Sequence, residues 1–488
     1  MTRATLLKNG LIVDGDNRPA WRGDVLLAGE RIVALAAPGQ IAPEVMAQLG
    51  QAFDEIDCSG KVIAPGFVDV HTHDDGAVLD APAMLPKLSQ GVTTVVVGNC
   101  GISLVPLVTS EPAAPLALLG RQQFRFPGMA GYAQAVNAAM PGVNVAALVG
   151  HTTLRMRHMK SLDRPAQGDE LAAMVKDLED AMAGGALGLS SGVFYQEAYA
   201  ADQAELSALA CAAARSGGIY ATHIRDELAG ILPALQEAAL TARQAGLPLV
   251  LSHHKCAGPA NWGRTRETLP LIEQLSRDQD IGMDVYPYTA GSTVLREDLV
   301  DGVIDILITG SQPHPELTGR YLADIARTWE LTQQEACRRL MPGGACYFQM
   351  REDDVERVIA HPLSMIGSDG LPHDERPHPR LWGTFPRVLA CYWREKGLLP
   401  LEQAVHKMTG LSARRFKLEQ RGLLKPGFYA DVLVFDPARV RDLATFENPI
   451  QFSAGIERVW VNGVLSYTEE NRATGARAGR FVRRASMP

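Results

Sequence analysis

The sequence predicts an α/β protein: a (β/α)8 barrel accompanied by a small β-sandwich made from both ends of the chain. Three observations carry this expectation. Between residues 67 and 370, short apolar runs alternate with amphipathic stretches of helical spacing. The two ends of the chain share a different texture, short apolar runs separated by Gly/Asp turns. Residues able to hold a metal ion fall at the ends of the strand-like runs, whose middles stay apolar.

At 488 residues the chain exceeds one small core, so two or three structural units are expected. Hydrophobic residues at 46% and charged residues at 21% fit a globular protein rather than a disordered one. The net charge of −8 argues against a nucleic-acid partner and requires any acidic substrate to be held by a local Lys/Arg cluster. The seven cysteines are odd in number and lack Cys-x-x-Cys spacing, so neither a disulfide framework nor a zinc ribbon is expected. No secretion signal and no run long enough to cross a bilayer is legible, which points to a cytoplasmic protein without a membrane partner.

The N-terminal stretch reads as a β-meander through Leu11-Ile12-Val13, Asp24-Val25-Leu26-Leu27 and Arg31-Ile32-Val33-Ala34-Leu35, with turns at Asn9-Gly10 and Ala28-Gly29-Glu30. The pattern returns in Ala430–Phe435 and Ile456–Gly463. Neither piece alone has enough strands to bury a face, so residues 1–64 and 418–488 are expected to pair into one sandwich. Residues 65–417 form the predicted barrel. Its strands are expected at Phe67–His73, Thr93–Cys100, Val143–His151, Ala186–Gly192, Gly218–Arg225, Leu247–His254, Gly282–Tyr288 and Met365–Gly370. Helices are expected at Gly168–Ala183, Asp202–Ser216, Ala229–Ala245 and Thr265–Gln279, often closed by glycine. An open doubly wound sheet is the alternative. Residues 289–360, between strands seven and eight, are too long for a simple connection and read as a lid or specificity insertion with helical pieces. The basic tail Thr474–Pro488 reads as a solvated, partly disordered end.

In a (β/α)8 barrel, side chains at the carboxyl ends of the strands converge on one mouth. His71 and His73, two apart on a strand, share a face. Cys100, His223, His253 or His254, and Asp369 follow at other strand ends. Each has an ordinary reading: a buried thiol, a hydrogen-bonded core histidine, a carboxylate capping a helix. Together they point to zinc, which suits imidazole and thiolate and keeps a position open in catalytic sites. Zinc lowers the pKa of a coordinated water to roughly 7, and a nearby carboxylate such as Asp369 can move its proton. That is the equipment for hydrolysing an amide.

The stretch Gly66-Phe67-Val68-Asp69-Val70-His71-Thr72-His73, with the single histidines and Asp369, resembles the metal-dependent amidohydrolase superfamily. Gly98-Asn99-Cys100-Gly101, Ala221-Thr222-His223-Ile224-Arg225, Ser252-His253-His254-Lys255 and Tyr286-Pro287-Tyr288 resemble its D-aminoacylase (N-acyl-D-amino-acid deacylase) branch. Leu424–Val432 is similar to the superfamily's return into its β-sandwich. The resemblance implies one tight zinc on Cys100, His223 and His253, a weaker second position at His71 and His73, and Asp369 as general base and acid. It implies that Lys255, Tyr286, Ser292 and Arg380 hold the α-carboxylate of an N-acyl-D-amino acid. Many amidohydrolases carry a metal-bridging lysine at the end of strand four; here that strand reads Leu187-Gly188-Leu189-Ser190-Ser191-Gly192, without one. Arg296 supplies a second cation suited to a side-chain carboxylate, which favours N-acyl-D-glutamate, and the chain is similar to the N-acyl-D-glutamate deacylases. Alternatives are a broad D-aminoacylase for hydrophobic substrates, a cyclic-amide hydrolase and a non-catalytic amidohydrolase-like scaffold.

Overall fold

The computed structural model describes residues 4–42, 44–45, 53–112, 114–120 and 124–485. Eight parallel strands make its central sheet: β1 (Phe67–Asp69), β2 (Val92–Val97), β3 (Asn144–Gly150), β4 (Gly188–Gly192), β5 (Ile219–His223), β6 (Leu249–Leu251), β7 (Ile281–Val285) and β8 (Ser364–Ile366). They neighbour one another in chain order, and every pairing is parallel. The ring closes just past β1 and β8, where Thr72 pairs with Gly370 and the Asp369 amide donates to His71 O at 2.8 Å. All eight strands are buried along their length, which explains why they read as short apolar runs without alternation.

The expected helices appear as Asp169–Ala183, Gln203–Arg215, Ile231–Ala245 and Thr265–Leu275. Gly246, at φ +67°, ends the third of them in a left-handed cap. Strand four ends at Gly192 as expected; the other expected strands run too far at their carboxyl ends, because the residues beyond them have turned into the loops of the mouth. His151, expected at the end of strand three, instead opens the helix His151–His158.

The terminal segments do join. Val62–Pro65 pairs antiparallel with Val432–Phe435, producing one nine-stranded sheet with Thr5–Ile12, Trp21–Ala28, Arg31–Ala36 and Asp54–Asp57 on one side and Ile456–Val461, Val464–Thr468 and Arg472–Ala473 on the other. Leu7, Val25, Ile32, Val432, Val434 and Trp460 share its core. Asn144, at the start of β3, ties this unit to the barrel: its Nδ2 donates to Asp431 Oδ2 at 3.3 Å and its Oδ1 accepts from Asn462 Nδ2 at 2.8 Å.

Two expectations are corrected. The region after β7 holds helices Leu322–Trp329 and Gln333–Leu340, but also an antiparallel sheet of Gly291–Val294, Ile306–Ser311 and Gly343–Tyr347 around a separate core. The strands Gly-Ser-Thr-Val and Gly-Gly-Ala-Cys-Tyr are too glycine-rich to announce themselves. The tail is exposed over Thr474–Arg477 but docks against the barrel from Gly479 to Phe481. Phe481 is buried, and Val145 is clasped by the tail backbone, its amide donating to Arg480 O at 2.9 Å and its carbonyl accepting from Val482 N at 2.7 Å. One aromatic anchor outweighs the surrounding arginines. Residues 486–488 lie outside the described residues.

Candidate metal centre

The mouth of the barrel gathers Cys100, His71, His73, His223, His253 and Asp369. Two overlapping sets have their metal-capable atoms within 4.8 Å of one another: His71, His73, Cys100 and Asp369, and Cys100, His223 and His253. Cys100 belongs to both. Its Sγ lies 3.1 Å from His71 Nε2 and 3.3 Å from His253 Nε2. His73 Nε2 reaches Asp369 Oδ1 at 3.1 Å, and His71 Nε2 lies 3.5 Å from the same oxygen.

The local backbone explains the motif around Cys100. Gly98 and Gly101 have φ of +76° and +74°, and a Cβ on them would collide with the backbone of Leu148 and of Gly192. Ser190 on β4 accepts from the Gly101 amide at 3.0 Å and donates to Gly98 O at 2.5 Å, so the strand without a lysine props up the cysteine loop. Cys100, His253 and Asp369 have φ of +53°, +37° and +51°. Such conformations are uncommon for residues with a Cβ and tend to mark functional positions.

Electrostatics sharpen the cluster. Burial by itself would raise the Cys100 thiol; the adjacent His71 and His253 imidazoles outweigh it and hold the thiol well below its usual range. Burial would likewise raise Asp369, but the Arg380 guanidinium and His71 keep the carboxyl well below the ordinary range, hence ionised. His71 Nδ1 is fixed by Asp284 Oδ1 at 3.1 Å, which leaves Nε2 for the cluster. His223 is buried with no hydrogen-bond partner on either ring nitrogen, and His73 Nδ1 also lacks one. Buried imidazoles without partners beside a thiolate are the chemistry zinc would satisfy. His254 turns elsewhere: its Nε2 bonds Thr268 Oγ1 at 2.8 Å, and burial with the nearby Lys255 charge lowers its pKa to about 3. With His253 in a left-handed conformation, strand alternation has already ended, and this separates the two rings.

The expected anion-binding residues also meet, with one exception. Arg380, fully buried, has Nη1 2.9 Å from Asp369 Oδ2, donates from Nη2 to Ser292 O at 3.0 Å, and lies 4.6 Å over the Tyr286 ring. Its Nε and the hydroxyl of Ser292 have no hydrogen-bond partner. Lys255 Nζ stands 5.8 Å from the same Tyr286 ring. Arg296 stands apart. It lies 4.5 Å over Phe194 and pairs with Asp298, its Nη2 lying 2.5 Å from Oδ2. Phe194 in turn stacks on His223 with ring centroids 4.7 Å apart. Arg296 therefore lines an open cleft of about 1670 Å3, bounded also by Leu118, Tyr195, Asp298 and Met341, rather than the Arg380 cluster.

Sequence reasoning passed over Asp284, Lys87 and Glu227. Asp284 sits mid-strand in an apolar run, a signal in itself; besides His71 it accepts from the His253 amide at 3.0 Å. Lys87 and Glu227 carried no local signal beyond their charge.

The comparisons agree with this geometry. The amidohydrolase family model matches residues 54–341 and 323–467. The chain is 49% identical to a D-aminoacylase from Alcaligenes xylosoxydans xylosoxydans over 99% of this chain and 98% of that one. It is 45% identical to an N-acyl-D-glutamate deacylase of the same organism, over 98% and 96%. The crystal structure of an N-acyl-D-glutamate deacylase from Bordetella bronchiseptica, complexed with zinc and a phosphonate inhibitor that mimics the tetrahedral intermediate, matches with a TM-score of 0.93 and 44% identity over 99% of this chain and all of that one. With a barrel mouth of this composition and likeness along nearly its whole length, the chain belongs to the amidohydrolase family.

Proposed function

We propose that this protein hydrolyses the amide bond of N-acyl-D-amino acids, with N-acyl-D-glutamate preferred, giving a carboxylate and the free D-amino acid. The observation that carries the reading is the pairing of Asp369 with both halves of the mouth: one oxygen faces His73 and the Cys100 cluster, the other faces Arg380. Cys100, His223 and His253 would hold the tight zinc, with His71, His73 and the shared Cys100 offering a weaker second position. Bound there, zinc would polarise the scissile carbonyl and acidify water. Asp369, ionised, accepts a proton from the attacking water and returns it to the leaving nitrogen as the C–N bond breaks. The Arg380 Nε and Ser292 hydroxyl, buried without partners, support an α-carboxylate seat there, with Tyr286 and Lys255 beside it. A bound carboxylate would share Arg380 with Asp369, placing the substrate next to the base.

The D configuration rests on the relatives. Preference for glutamate rests on Arg296, since identities of 49% and 45% to relatives of different substrate names do not select a side chain. Arg296 would exchange its exposed partner Asp298 for the substrate's side-chain carboxylate. Turnover of N-acetyl-D-glutamate, N-acetyl-D-aspartate, N-acetyl-D-leucine and N-acetyl-L-glutamate by zinc-loaded protein tests this. Arg296→Leu is expected to lower kcat/KM for D-glutamate about 10- to 100-fold relative to D-leucine, as loss of a charge-assisted hydrogen bond should. An unchanged ratio would remove Arg296 from the assignment.

A cyclic-amide hydrolase fits less well, because β4 supports the Cys100 loop instead of bridging metals. A silent scaffold would have no use for a complete donor set. No helix among the described residues is long and apolar enough to cross a membrane. Seven free cysteines fit the reducing cytoplasm, and a net charge of −8 fits a small-molecule substrate better than a nucleic acid.

A further inference from the structure

Glu227 lies four residues past His223, in the loop that follows β5, and is 4% exposed. A single carboxylate oxygen, Oε1, lies 2.6 Å from Lys255 Nζ, 3.2 Å from His253 Nδ1 and 3.5 Å from His223 Nε2. Its own backbone carbonyl accepts from the Ala257 amide at 2.8 Å, fastening the β5 loop to the β6 loop. Lys255 Nζ is meanwhile 2.8 Å from His253 Nδ1 and 3.0 Å from His253 O. One acid thus contacts His253 and Lys255 and lies beside His223, too far for a good hydrogen bond.

The hydrogen-bond chemistry at His253 constrains what Glu227 can do. His253 turns Nε2 toward Cys100 Sγ, so a metal held by the thiolate would take the lone pair of Nε2. A neutral imidazole bound through Nε2 carries its proton on Nδ1 and needs an acceptor there. Two groups are within reach. The Lys255 ammonium has donors only, whereas Glu227 Oε1 can accept. A metal on Nε2 would therefore replace the Lys255–His253 Nδ1 contact with a hydrogen bond donated from Nδ1 to Glu227 Oε1. Lys255 would then keep Glu227 Oε1 and the His253 carbonyl as partners, with its third donor free for an incoming carboxylate.

We propose that Glu227 is a positioning residue that couples the two halves of the site, orienting His253 for the metal and holding Lys255 for the substrate's α-carboxylate through one oxygen atom. This rests on the function proposed above. It goes further in assigning a role to a residue that touches neither the reacting atoms nor, by itself, the substrate.

The test compares zinc affinity, by competition with a chelator, and steady-state kinetics with N-acetyl-D-glutamate across four proteins. The unaltered protein must bind zinc and turn over the substrate; if it does not, the proposed function fails, whatever the variants do. Glu227→Gln is expected to weaken zinc binding about 10- to 100-fold, as loss of a carboxylate behind a metal-bound histidine does. It should also raise KM about tenfold and shift the visible spectrum of the Co2+-substituted protein. Lys255→Met should raise KM while zinc affinity stays within about threefold. The double variant Glu227→Gln/Lys255→Met should bind zinc as weakly as Glu227→Gln alone. If it regains the affinity of the unaltered protein, Glu227 merely neutralises Lys255 and the coupling is refuted; zinc affinity unchanged in Glu227→Gln refutes it as well. Should Glu227→Gln not fold, Glu227→Asp retains the charge but withdraws the oxygen, and unchanged zinc affinity and KM in that variant would overturn the proposal equally.

Discussion

Cys100, His253 and Asp369 share a property that spacing does not reveal: each holds a left-handed backbone that costs about 1–3 kcal/mol for a residue with a side chain. Local bonds offset the cost. The Asp369 amide donates to His71 O at 2.8 Å and the His253 amide to Asp284 Oδ1 at 3.0 Å, so two of the three are fastened by His71 and by the aspartate that orients it. The same arrangement would suit Asp369 to the proposed role of base, since it is ionised and buried between His73 and Arg380. Asp369→Asn, which tolerates the same backbone, is expected to lower kcat about 10²- to 10⁴-fold. Metal analysis should still find zinc at the Cys100–His223–His253 position, while Cys100→Ala should lose it. A loss of turnover below tenfold would sink the assignment of Asp369.

At the scale of elements, the meeting of β1 with β8 depends on a lysine from neither strand. Lys87, in the short helix Leu85–Leu88, is wholly buried, with Nζ 2.8 Å from Asp69 Oδ2, 3.2 Å from Asp74 Oδ2 and 2.9 Å from Ser368 Oγ. Asp69 Oδ1 also accepts from the Ser368 amide at 2.8 Å. The network brackets His71 and His73 on one side and Asp369 on the other. Lys87→Met would leave two buried carboxylates facing each other, at a cost of about 3–5 kcal/mol. Its unfolding midpoint in urea should fall accordingly, and turnover should drop even at temperatures where the variant remains folded. A midpoint equal to that of the unaltered protein would show that the network contributes no stability. Elements of this kind are legible unevenly. The helices with continuous apolar spacing appear within a few residues of their expected bounds, whereas the sheet inside 289–360 stays hidden because two of its strands are glycine-rich and leave the β-branched run Ile306–Ser311 without legible partners.

At the scale of the whole molecule, a buried lysine also lies away from the mouth. Lys407, in the helix Leu401–Met408, donates to His361 O and to Ser364 O, the latter at 3.1 Å, beneath β8. Burial pulls its pKa down to about 7. The unfolded chain, with an ordinary lysine near 10.5, therefore binds more protons than the folded one between pH 7 and 10.5. Stability should rise across that window and carry the full penalty below it, up to about 4–5 kcal/mol from this group. Urea unfolding at pH 7 and pH 10 checks the sign: Lys407→Met should be more stable than the unaltered protein at pH 7 and should lose most of the pH-dependent gain. Identical pH slopes in the two proteins would contradict it. The tail belongs to this scale too, because Phe481 and its neighbours strap the outside of β3 and make residues near the C-terminus part of the barrel's support.

From the amino-acid order alone came the alternation of strands and helices, the kinship of the two chain ends and the candidates His71, His73, Cys100, His223 and Asp369. These follow from periodicity and from polar, metal-capable residues interrupting otherwise apolar runs, both local properties. Only the tertiary structure distinguished His253 from His254, set Arg296 over Phe194 rather than beside Arg380, and brought Asp284, Lys87 and Glu227 against the cluster. Those outcomes depend on backbone dihedrals past the strand ends and on contacts between segments far apart in the chain, and no one-dimensional spacing encodes the direction in which a side chain points once the strand has ended.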